Sequence, residues 1–141
     1  MLVLGLDLET TGLDWDSDQI IEIGAVVWDT DTNRPVSLMN RLVDIDGREL
    51  KPEIIELTGI QNNDLDQFGI SEEDALCELL DLAEHCKYVV AHNGNGFDRH
   101  FLNNALQKYG QSLDLPWIDT MHDVPYRKDV KTRKLSYLAA E

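Results

Sequence analysis

The chain has 141 residues, of which 43% are hydrophobic and 28% charged, and carries a formal net charge of -15 at pH 7. That length suits one domain with a sizeable core, and the acidity argues against sequence-independent gripping of a nucleic-acid duplex, which runs on many Lys and Arg contacts to phosphate. No apolar run approaches a membrane span and the N-terminus lacks the basic region and cleavage site of a signal peptide, so a cytoplasmic location is the default expectation.

Leu2 to Leu8 reads as a short, nearly continuous apolar strand whose end carries Asp7 and Glu9, before Thr10, Thr11 and Gly12 turn the chain away. Side chains on a strand repeat every two residues, so Asp7 and Glu9 share a face with Val3 and Gly5. Two carboxylates held together raise each other's pKa or take a cation between them, and Mg²⁺ or Mn²⁺ with oxygen ligands suits such a pair. Five other Asp-x-Asp or Asp-x-Glu spacings start at Asp14, Asp16, Asp29, Asp44 and Asp64. Those lie mostly in polar or turn-like surroundings, whereas Asp7 and Glu9 end a buried strand, where α/β sheets tend to bind ligands.

Gln19 to Asp29 predicts a second strand, apolar on both faces and interrupted by Glu22. A carboxylate there needs a partner or a place at the rim of a site, and both a supporting role beside a metal and a purely structural pairing stand open. Val36 to Val43 reads as a third strand, making the opening an antiparallel meander. Pro52 to Ile60 predicts a short helix with Gly59 just past its end, followed by a polar connection. Ser71 with Asp74 resembles a capping pair opening a stronger helix, with Ala75, Leu76, Leu79, Leu80 and Ala83 on one face.

Lys87 to Ala91 predicts a fourth strand and His92 to Gly96 a glycine-rich turn. A helix then runs from Phe97 to about Tyr109, with Phe101, Leu102, Ala105 and Leu106 inward and Gly110 as its stop. Trp117 to Thr120 predicts a fifth strand. Beyond it, Arg127, Lys128, Lys131, Arg133 and Lys134 form a basic stretch against the overall charge, either a solvated loop or a guide for phosphate. A further helix opens at Lys134. Cys77 and Cys86 match neither a zinc spacing nor a disulfide framework and are expected to be reduced thiols. The whole predicts a mixed α/β sheet of about five strands with flanking helices, in a single domain over 1–141.

Asp98, in the first turn of its helix, is the third acid of interest. By itself it would favour the helix dipole; if the strand ending at Ala91 lies beside the first, it reaches the same sheet edge as Asp7 and Glu9.

Leu6 to Asp14 (LDLETTGLD), Ile20 to Val26 (IIEIGAV), Leu57 to Ile60 (LTGI), Ala91 to Leu102 (AHNGNGFDRHFL) and Ile118 to Met121 (IDTM) together resemble the DEDD superfamily of 3′-to-5′ exonucleases, nearest to the epsilon-type proofreading subunits of bacterial DNA polymerases. The resemblance implies a ribonuclease-H-like fold and hydrolysis of a terminal phosphodiester assisted by two divalent ions, Mg²⁺ or Mn²⁺. It implies that Asp7, Glu9 and Asp98 are the metal-holding catalytic acids. Thr10, Thr11, Gly12 and Leu13 resemble the turn that holds the terminal nucleotide, and Leu57 to Ile60 the segment that packs on it. Without the resemblance, Leu57 and Ile60 read as core residues. Asn93 and Phe97 border the strand end on the same analogy, their plain alternative being a turn and a helix start.

The family's third motif, His-x4-Asp or Tyr-x3-Asp, does not follow Asp98: His100 and His122 are spaced to Ala105 and Arg127, Tyr126 and Tyr137 to Val130 and Glu141. The helix at Lys134 resembles the one preceding that motif, so the chain is expected to lack the C-terminal part of the domain, its last helix incomplete, with three of four metal carboxylates and no general base. Two functions follow as expectations. One is an exonuclease on single-stranded DNA 3′ ends, with RNA ends as a variant and this form weak or inactive. The other is a catalytically incomplete module that binds nucleic acid or a DNA polymerase.

Overall fold

The computed structural model describes residues 1–91 and 97–119. Five strands form one sheet in the order β3-β2-β1-β4-β5: β1 Leu2–Thr10, β2 Ile20–Asp29, β3 Arg34–Leu42, β4 Cys86–Ala91 and β5 Trp117–Asp119. The first three pair antiparallel, while β4 joins β1, and β5 joins β4, in parallel. This is the mixed α/β sheet with flanking helices that the sequence predicts, with β1 at its centre. A central strand must bury one side, and Leu4, Leu6 and Leu8 do so against Ala75, Leu76 and Leu79 of α3 (Glu72–Leu82) and Phe101, Leu102 and Leu106 of α4 (Asp98–Gln107).

The helices begin where local chemistry starts them. Ser71 caps α3 by accepting from the Asp74 N–H at 3.1 Å, as its sequence implies. Pro52 opens α1 (Pro52–Thr58), and Gly59 closes it at φ 75°, a left-handed position that suits glycine. The polar connection expected after Gly59 is instead another helix, α2 (Asn62–Phe68). A reciprocal cap starts it: the Gln61 side chain accepts from the backbone of Asp64, whose carboxylate accepts from the Gln61 N–H at 2.9 Å. Only Leu65 of α2 is buried, so it offers almost no apolar periodicity to detect.

One irregularity shapes the site. The β1–β2 register shifts between Glu9 and Thr10, so Glu9 faces Glu22 while Thr10 faces Ile20. Such a bulge lets neighbouring residues serve different sides of a sheet. Ile20 joins the core under α3 and α4, and Ile21 joins a second cluster with Ile45, Leu50, Ile60 and Leu65. Past the bulge β2 alternates regularly: Ile23, Ala25 and Val27 are buried, whereas Val26 and Trp28 are half-buried. Two fully apolar faces are therefore not needed along its length. The edge strand β3 buries only Met39, and carries Pro35, as edge strands tolerate. Cys77 and Cys86 are both free thiols.

Candidate active site

Among the described residues, parallel pairing of β1 with β4 runs from Leu2 to Gly5. Beyond Gly5, α4 enters. Asp98, 5% exposed in its first turn, accepts a hydrogen bond from the Leu8 backbone N–H. Burial is the main cause that pushes its pKa up to about 8, followed by the charge of Asp7, with Glu9 and Asp119 adding to it. Asp7 and Glu9 are half-buried on the face of β1 opposite Leu6 and Leu8. Glu22 stands across the ladder from Glu9 on that face, and its pKa is raised by burial first and by Asp7 second. The interruption in β2 thus lies on the face that carries Asp7 and Glu9. Asp119, 1% exposed at the end of β5, is the acid that motif reading passed over, although it stands in the IDTM stretch.

Asp7, Glu9 and Asp98 open on a cleft of about 970 Å³. Its wall holds the acids Asp7, Glu9, Asp14, Asp18, Glu53 and Asp98, against Lys51 as the one cation among the described lining residues. Leu13, Ile54, Leu57 and Phe97 give it an apolar side. Leu13 and Leu57 are 82% and 68% exposed, so neither serves the core. Phe97 packs on Phe101 with ring centroids 4.8 Å apart. Ile60, expected beside Leu57, is buried in the second cluster and does not line the cleft. A left-handed Gly59 between them turns the chain so that one side chain faces outward and the other inward. Asn93, the basic stretch and the helix at Lys134 lie outside the described residues.

The turn after Glu9 is built from its own side chains. Thr10 donates to the Gly12 carbonyl at 2.6 Å. Thr11 donates to Asp18 Oδ1 at 3.0 Å and accepts from the Gln19 N–H at 2.9 Å. Asp18 Oδ2 also accepts from the Asp14 N–H at 3.0 Å. Both threonines are buried and line the cleft, but their hydroxyls shape the turn. Gly12 has the same purpose: a Cβ there would collide with the Asp18 carboxylate. Its smallness makes room for the carboxylate that organises the loop.

Among the described residues, no three His, Cys, Asp or Glu groups stand together closely enough to hold a metal ion as they are. The donor chemistry nevertheless fits a divalent cation. Every candidate ligand is a carboxylate, the hard oxygen donor that Mg²⁺ and Mn²⁺ take. An acid-walled cleft repels phosphate unless a cation reverses the local field.

The chain belongs to the exonuclease family, whose sequence profile matches residues 4–141. It is 39% identical over 117 residues to the PolC-type DNA polymerase III of Thermotoga maritima, covering 82% of this chain and 8% of that protein. It is 31% identical over 115 residues to ribonuclease T of Escherichia coli K12, covering 73% and 53%. The chain therefore spans a small part of the PolC-type relatives and about half of ribonuclease T. E. coli exonuclease I, solved with a dT13 oligonucleotide, shares the fold at a TM-score of 0.72 and 18% identity, over 84% of this chain and 28% of that one.

Proposed function

We propose that the chain is the catalytic unit of a metal-dependent 3′-to-5′ exonuclease that removes nucleotides from single-stranded DNA ends, working in the cytoplasm beside a DNA polymerase. The observation that carries this reading is the convergence of Asp7 and Glu9 from β1 with Asp98 from α4 at one end of a partly apolar cleft. Asp7, Glu9 and Asp98 would hold two divalent ions, Mg²⁺ or Mn²⁺, which when bound acidify a water and stabilise the charge of the reacting phosphodiester. The exposed Leu13 and Leu57 offer apolar surface to the terminal base and sugar. The Thr10–Leu13 turn sets the position of that nucleotide beside the acids. Asp98, buried among the charges of Asp7, Glu9 and Asp119, favours a bound cation over an exposed anion.

Residues 1–141 carry no His-x4-Asp or Tyr-x3-Asp spacing after Asp98, so the base that helps to deprotonate water is not supplied by either motif within them. The 141-residue form is accordingly expected to be slow. Digestion of 5′-labelled single-stranded DNA with Mg²⁺ or Mn²⁺, with Asp7→Ala as control, tests the reading. A ladder of single-nucleotide losses from the 3′ end that vanishes in Asp7→Ala supports it; metal-independent cleavage or loss from the 5′ end overturns it.

The ribonuclease T relative favours a second reading, in which RNA 3′ ends are the substrate. The same assay on an RNA strand of equal sequence separates the two.

A further inference from the structure

The acids of the site come from two elements that like charge drives apart: Asp7 and Glu9 on β1, and Asp98 on α4. The shared core of Leu4, Leu6 and Leu8 with Phe101, Leu102 and Leu106 holds the two elements together. Among the described residues, two contacts also join α4 to the loop that leaves β1. The Trp15 and His100 rings stack with centroids 4.7 Å apart and planes 21° from parallel. One helical turn on, the Asn104 side-chain amide donates to the Trp15 carbonyl at 2.7 Å and lies 3.4 Å from Asp16 Oδ1. His100 and Asn104 are four residues apart, so they share a stripe of α4, away from the inward Phe101, Leu102, Ala105 and Leu106.

The loop they grip is the one that carries the cleft wall. Trp15 follows directly on Leu13 and Asp14, both of which line the cleft. Asp18 ties the loop together, holding Thr11 and Asp14 from within, and its N–H also donates to the Asp14 carbonyl at 2.7 Å. A grip on Trp15 is thereby passed to Gly12 and Leu13. Large amphipathic rings on the surface are useful for such docking because they bury area at little entropic cost.

We infer that Trp15, His100 and Asn104 form a brace that sets the Thr10–Leu13 turn at a fixed distance from Asp98, making His100 and Asn104 positioning residues for the strand end. For its effect on substrate this rests on the exonuclease reading above. Neither residue touches the acids' chemistry; both act through the loop.

Two measurements on the full chain test it. In the metal-free protein, amide hydrogen exchange should quicken over residues 11–18 in His100→Ala and Asn104→Ala, and stay as it is in β1 from Leu4 to Leu8. With Mn²⁺ and a single-stranded DNA 3′ end, each variant should raise KM by roughly two- to tenfold, the size of one lost hydrogen bond or ring stack, with kcat within about twofold. His100→Phe, which keeps a ring to stack on Trp15, should restore both readouts. Unchanged exchange over 11–18, a lower melting temperature with unchanged KM, or no rescue by phenylalanine would each overturn the brace. If the wild-type chain digests no 3′ end, the functional reading fails, and the exchange measurement still decides whether the brace exists.

Discussion

Glu22 of β2 stands directly opposite Glu9 of β1 in the antiparallel ladder, so a second strand adds a carboxylate to the face that carries Asp7. Like charges across a ladder destabilise it by about 0.2–1 kcal/mol. Glu22→Gln is therefore expected to stabilise the metal-free chain by about that amount in urea unfolding. The same change should weaken Mn²⁺ binding measured by calorimetry, since it removes negative charge beside Asp7.

Asp98 gives the metal-free protein an unusual pH dependence. Its pKa of about 8 in the fold stands well above the ordinary aspartate value of about 3.9. The folded chain holds that proton more tightly than the unfolded one, so the associated stability is full below about pH 4 and is lost as pH rises through about 8. Glu22, also raised by burial and by Asp7, contributes in the same direction. Melting temperature in chelator should fall between pH 5 and pH 8. Asp98→Asn should flatten most of that slope, and Mn²⁺ should reduce it in the wild type by favouring the ionised form.

Asp7→Ala and Asp98→Ala should each lower 3′-end digestion by about 10²-fold or more, the cost of removing a group that organises charge at the reacting phosphate. Their folds should survive: Asp98→Ala removes a buried acid that like charges already disfavour. Equal activity in wild type and Asp98→Ala would place the chemistry elsewhere.

Leu57 and Ile60 share one sequence motif but should respond differently. Leu57→Ala removes a side chain that is 68% exposed, so stability should change by less than about 0.5 kcal/mol while KM for the strand end rises. Ile60→Ala leaves a hole in the second cluster and should cost about 2–5 kcal/mol, with KM unchanged at a temperature where the variant is folded. Denaturation curves and steady-state kinetics on the two variants check both halves.

Gly12→Ala drives a methyl group into the Asp18 carboxylate, which then has to leave Thr11 and the Asp14 N–H. Two hydrogen bonds of about 1 kcal/mol each are at stake. The variant should lose about 1–2 kcal/mol, and the double variant Gly12→Ala, Asp18→Ala should recover little, because the loop's own support is then gone.

Elements with strong local signals were readable in the chain itself. The apolar strand from Leu2 to Leu8, the Ser71 cap, and the stripe Phe101, Leu102, Ala105, Leu106 each depend on residues within a few positions of one another, and the structure contains them. The same holds for α1, where Pro52 and Gly59 bracket the helix. The α2 helix was not read because its signal is a single reciprocal cap with one buried leucine. A side-chain capping box built on glutamine and aspartate resembles an ordinary polar loop until its hydrogen bonds are seen.

The sequence by itself determined the strand bearing Asp7 and Glu9, the helix bearing Asp98 and the family to which they belong, because periodicity, capping and motif spacing are short-range properties of the chain. Tertiary structure alone decided that Glu22 faces Glu9, that Ile60 turns into a core while Leu57 stays in the cleft, and that Asp119 comes within electrostatic reach of Asp98. It alone brought Trp15 onto His100, 85 positions later in the chain. Apart from the split at Ile60, where the Gly59 turn also acts, each of these follows from strand register or the docking of a helix. Those are set by long-range pairing and burial, whose free energies no local window contains.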